Sequence, residues 1–188
     1  MQTLGLSDST PRTESRLKSL FWPSIETGND VDYLGAQGYW VCTIIAVASF
    51  CVLLGTNLIA AILVSLFFYI GGVGVRQRSS YAATIVFAMF LIETAPAIAR
   101  AGLSGAIVLR ILFLALLLSN TRATWIASRW QADSEEAALP PRLGETWGDK
   151  FADKLPMWLW PKARYPYYVL SAGLLVLSVV GLLIRRVR

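Results

Sequence analysis

The fold that the sequence predicts is an all-α integral membrane protein, a polytopic bundle of about five transmembrane helices. Three observations predict it. Of 188 residues, 55% are hydrophobic and 15% charged, against about a quarter charged in an ordinary soluble domain. The apolar residues are gathered into runs, and a run of roughly 20 residues crosses about 30 Å of hydrocarbon. Those runs are bordered by Trp, Tyr, Lys and Arg, the residues that settle at a bilayer–water boundary.

In chain order, the polar stretch 1–16 has no apolar core and no small-residue cleavage site, so it reads as a disordered tail rather than a secretory signal. In 17–25, Leu17, Leu20, Phe21 and Ile25 share one helical face beside Trp22, and Pro23 stops the segment short of a span. It is expected to lie at the interface, with Trp22 as an anchor. Residues 26–30 read as a turn. Tyr39 and Trp40 open the first span as belt aromatics. The apolar stretch from there to Val75 would be about 55 Å long as one helix, nearly twice the hydrocarbon thickness. A tight hairpin at Gly55, Thr56 and Asn57 divides it into spans near 37–55 and 57–75. In the second of these, Ala61, Ser65, Gly71, Gly72 and Gly74 would admit a close neighbouring helix.

A basic loop at 76–80 leads to spans near 81–99 and 103–121, with Pro96 expected to bend or end the former. The latter is expected to continue as a helix through Asn120, Arg122, Trp125 and Trp130. After a polar linker, Leu143, Trp147, Phe151 and Leu155 recur every fourth residue among charged neighbours. That is a second interfacial amphipathic segment, reaching Trp158 and Trp160, with Trp147, Trp158 and Trp160 as anchors. The last span, near 166–184, follows Tyr167 and presents Ser171, Ser178 and Gly181 as a small-residue strip. The organisation is thus a tail (1–16), an interfacial segment and turn (17–36), a core of four spans (37–127), a linker with an amphipathic helix (128–164), and a C-terminal span with a basic tail (165–188).

Composition excludes several kinds of chemistry. The chain has no histidine, so it cannot by itself build a His-ligated haem, an HExxH zinc site or a Ser-His-Asp relay. Cys42 and Cys51 are nine residues apart on one predicted helix, on opposite faces and separated by about 13 Å of rise, and cannot bridge each other. No cofactor or metal is implied, and no catalytic motif. The net charge of +5 is carried by loops, where Lys and Arg set orientation and meet anionic lipid rather than nucleic acid.

With five spans, Arg76, Arg78, Arg122, Arg129, Lys162 and Arg164 fall on one side, and Arg100, Arg185, Arg186 and Arg188 on the other. The larger group places the N-terminus in the cytoplasm of a multi-pass protein of the cell (inner or plasma) membrane, while the C-terminal arginines pull the other way.

Two ionisable residues are expected at membrane depth. Counted from the break near Arg100, Glu93 lies about 11 Å and Arg110 about 14 Å into adjacent antiparallel spans. Each costs about 2.5–3.5 kcal/mol to insert on biological scales, so they are candidates for an intramembrane ion pair fixing helix register. Asn57 and Asn120 are explained by helix capping and interface solvation. Two function classes follow: a non-enzymatic accessory or scaffold component packing against a membrane partner or a second copy of itself, or a small transporter or channel with Glu93 and Arg110 as its polar site.

Overall fold

The computed structural model describes residues 21–25, 28–101, 104–133 and 159–187, and among these the long regular elements are all α-helices. They are α1 (Gly28–Leu54), α2 (Leu58–Arg76), α3 (Ser80–Ala101), α4 (Gly105–Asp133) and α5 (Leu159–Val187). Expectations for residues 1–16, the 134–158 stretch, Trp147 and Trp158 lie outside the described residues. Four stretches are long and apolar enough to cross a membrane: Asp30–Leu54, Leu58–Arg76, Ser80–Ala99 and Gly105–Trp130.

The first four helices form a ring. The hairpins α1–α2 and α3–α4 pack side by side, with α1 against α4 and α2 against α3, while α5 lies outside on α2 and touches α3. The α1–α2 break falls at Gly55 and Thr56, and Asn57 caps α2 by accepting from the Ala60 N–H at 3.0 Å. The α2–α3 turn closes with Arg78 N–H to Val75 O and Ser79 N–H to Gly74 O, both 3.0 Å. It needs Arg78 in the left-handed region, φ 56°, a conformation that glycine usually supplies.

The glycines of α2 are where neighbours come closest. A Cβ on Gly72 would fall within 3.0 Å of Cys42 on α1, and one on Gly71 within 3.0 Å of Val86 on α3 and the Tyr167 hydroxyl on α5. Ser65 Oγ donates to Ala46 O at 2.9 Å, tying α2 to α1. Aromatic side chains fill the centre: Phe68 meets Phe90 edge-on at 6.1 Å, and Phe67 stacks on Tyr167 at 5.4 Å. Cys42 is buried and Cys51 exposed, as opposite faces of one helix require.

Three expectations are corrected. α1 begins at Gly28, not near residue 37, so residues 28–30 are its first turn rather than a loop. Val31, Leu34 and Gly38 bury one face of this extension, and Asp32 at its flank is paired, which makes helix cheaper here than an open turn. Pro96 does not end α3, which runs on to Ala101; a proline so near the C-terminus removes one interior hydrogen bond and leaves only a short last turn to reorient. Among the described residues α5 is already helical at Leu159, upstream of the expected span, and it accommodates both Pro161 and Pro166.

Candidate functional site

Polar chemistry gathers at the end of the ring where α1 and α3 begin and α2 and α4 finish. Arg78 reaches from the α2–α3 turn to Asp32 on α1, with Nε and Nη2 at 2.8 and 2.7 Å from Oδ1. Asn120, only 1% exposed, donates from Nδ2 to Leu34 O, joining α4 to α1. Its side chain lies against Gly38, where a Cβ would collide with it. Arg122, one turn from Ser119, donates to Pro23 O at 3.0 Å and stands 4.7 Å over the Trp22 ring. On the α3–α4 side, Trp125 Nε1 donates to Thr84 Oγ1 at 2.9 Å and Thr121 Oγ1 to Ala83 O at 3.3 Å.

The Asn120 reading is therefore corrected: it is neither a cap nor an interface residue but an interhelical donor in the middle of α4. Asn57, by contrast, is a cap.

Glu93 on α3 and Arg110 on α4 are both half-buried. They lie nearer the other end of the ring, beyond the Phe90–Phe113 contact of 6.5 Å.

The aromatic residues expected as interface anchors divide into two groups. Trp22 and Trp40 are exposed, at 47% and 38%. Tyr39, Trp160 and Tyr167 are buried inside the protein. The ring of Trp160 occupies the space over Gly74, and Tyr167 fits over Gly71. Their function in the fold is to key α5 into the glycine face of α2.

No protein-family model, curated protein or solved structure matches the chain. The geometry must carry the functional reading alone.

Among the described residues no cluster of three His, Cys, Asp or Glu side chains could hold a metal ion. Among the described residues, Gln37 Oε1, Thr94 Oγ1, Ser119 Oγ, Asn120 Oδ1 and Tyr167 OH are buried without a protein hydrogen-bond partner. Sequence reading missed the Asp32–Arg78 pair and the interhelical bond that Asn120 makes to Leu34. The pair had one available signal, opposite charges at the same edge of a predicted hairpin. A polar side chain turned toward another helix from within an apolar run carries no such mark.

Proposed function

We propose that this is a multi-pass membrane protein of five spans, α5 being the fifth, with its N-terminus in the cytoplasm. Its role is that of a non-enzymatic accessory or scaffold component that packs against a membrane partner. The apolar exterior supports the bilayer setting: Val52, Ile59, Val108 and Val169 are each more than half exposed, far beyond what a soluble monomer tolerates in one continuous coat.

One observation carries the packing role, the two-sidedness of α5. Its inner face holds Trp160, Tyr167 and Ser171 against the bundle. On its outer face, Val169, Val176, Leu177 and Val180 stand exposed around Gly173, which has nothing within 4 Å. Apolar ridges around a bare glycine suit the close approach of another helix. The test is purification in mild detergent at native expression, with mass analysis of what accompanies the protein. A stoichiometric companion that is retained by wild type and lost from Gly173→Leu is expected. A protein that comes alone, or a companion indifferent to Gly173→Leu, refutes the reading.

The placement of Glu93 and Arg110 on adjacent helices, both half-buried on the same side of the Phe90–Phe113 contact, favours a second reading, a small transporter or channel with these two residues as its polar site. In the accessory reading the same residues fix the register of α3 and α4. Exchanging them, Glu93→Arg with Arg110→Glu, restores accumulation lost in the single alanine variants if they act as a register pair. Normal accumulation with lost flux in Glu93→Gln supports the transport reading.

A further inference from the structure

We propose that the C-terminal part of α4 binds the phosphate of an anionic phospholipid, on the face that carries Arg122, Trp125 and Arg129. The inference rests on the bilayer setting argued above and on neither the partner nor the transport reading. Spacings of three and four residues stack these side chains on one face of α4, a turn apart. Leu118 and Ile111 continue the same face toward the other end of the helix, and both are exposed, as are Trp125 and Arg129. From the middle of the helix outward, the face is aliphatic and then aromatic and cationic. A phospholipid has the matching order along its own length, from acyl chain through the ester region, where indole rings settle, to the phosphate.

Neighbouring elements build the headgroup end. Trp22, from the 21–25 segment, is exposed and has the Arg122 guanidinium 4.7 Å over its ring. Tyr81, at the start of α3, is exposed and meets Trp125 edge-on at 6.1 Å, while the Trp125 indole is held by its bond to Thr84. Stacking on Trp22 occupies the face of the Arg122 guanidinium and leaves its N–H edge, the part that bonds phosphate. Pro23 O takes one of those N–H donors, and the fork has others to give.

Charge selects an anion. No acidic residue occurs in α4 before Asp133, and none in α3 before Glu93, which lies past the middle of that helix. The bilayer is the source of that anion, because the exposed aliphatic face leads directly up to the arginines. The boundary itself is marked: every Trp and Tyr in the five helices lies in the half of its helix nearer this end, the placement that fixes a headgroup level. In the proposed orientation this is the cytoplasmic leaflet, where anionic lipids attract basic residues.

The test is native mass spectrometry of the full chain in a mild nonionic detergent, titrated with phosphatidylglycerol or phosphatidylcholine of identical acyl chains. Phosphatidylglycerol should bind more tightly, and Arg129→Gln should weaken its first binding step about fivefold, the effect of one cation beside an anionic headgroup. Phosphatidylcholine binding should not change in that variant. Arg164→Gln is the control, since it removes the same charge from α5 at the same end of the protein and should weaken phosphatidylglycerol far less. Both side chains are exposed, so neither substitution touches the packed interior. Equal binding of the two lipids, or equal losses in Arg129→Gln and Arg164→Gln, overturns the proposal. Displacement of phosphatidylglycerol by inorganic phosphate at equal concentration also overturns it, by showing a site for a free anion. Extraction of the protein from membranes by alkaline carbonate would instead refute the bilayer setting, a failure distinct from that of an embedded chain that does not discriminate between lipids.

Discussion

Replacing Gly74 with alanine puts a methyl group where Trp160 already sits. A Cβ there would lie within 3.0 Å of three atoms of the indole ring. Trp160 is itself held by edge-on contacts with Tyr167 and Tyr168 at 5.6 and 6.2 Å, so it cannot simply rotate away. Overpacking of this kind costs about 1–3 kcal/mol. Alanine also favours helix over glycine by about 0.8–1.0 kcal/mol, which would mask part of the loss if Gly74→Ala were compared with wild type alone. Gly181→Ala removes that ambiguity, because Gly181 is on α5 with nothing within 4 Å and its variant gains the same propensity without a collision. The difference between the two alanine variants therefore isolates the clash. At roughly 2–4 °C per kcal/mol for a chain of this length, Gly74→Ala should melt several degrees below Gly181→Ala in the same detergent. Adding Trp160→Phe, which withdraws the colliding part of the ring, should narrow the gap. If the two alanine variants melt together, or if Trp160→Phe leaves the gap intact, α5 is not docked on α2 in the way described.

Two further outcomes are expected. Arg78 adopts a left-handed backbone that costs a non-glycine residue roughly 1–2 kcal/mol, and holds Asp32 with that same side chain. Arg78→Gly loses the pair but relieves the backbone strain, whereas Asp32→Ala loses the pair and keeps the strain. In denaturant titrations in mixed micelles Asp32→Ala should be the less stable of the two, and the reverse order would show that Arg78 is not strained by the turn. In membranes, five spans put the C-terminus outside, so a C-terminal alkaline phosphatase fusion should be active and an N-terminal one silent; a silent C-terminal fusion eliminates α5 as the fifth span.

Helices and hairpins were legible where residue chemistry acts locally. Gly55 and Asn57 interrupt an apolar run with a turn former and a cap, and the chain turns and caps there. The small residues of α2 signalled close approach, and three neighbours use them. What escaped depends on distant partners. Asp32 drew no reading of its own because its cation is 46 residues away. Tyr167 and Trp160 looked like belt residues because an aromatic beside an apolar run has the same composition whether it meets lipid headgroups or a glycine on another helix. Only the depth of Gly71 and Gly74 in the finished bundle distinguishes these cases.

The distribution of bonds along the ring bears on what Glu93 and Arg110 can do. Asp32–Arg78, Asn120–Leu34, Arg122–Pro23 and Trp125–Thr84 all lie toward one end, and Trp160 keys α5 over Gly74 at that same end. Toward the other end, Val52, Leu54, Leu58 and Ile59 around the α1–α2 turn are exposed, as are Ile98, Ser104 and Gly105 at the adjoining ends of α3 and α4. Among the described residues the interhelical side-chain bonds thus concentrate toward one end. Glu93 and Arg110 sit on the other side of the Phe90–Phe113 contact and are half-buried. In the proposed orientation that end faces outward. An attraction between opposite charges is most useful for register where other side-chain bonds are few, and a half-buried charge toward the outer end of the spans is also where a polar pathway would begin. The same placement therefore explains why both readings of the pair survive the fold, and why the charge exchange, which preserves the attraction while reversing its direction, distinguishes them.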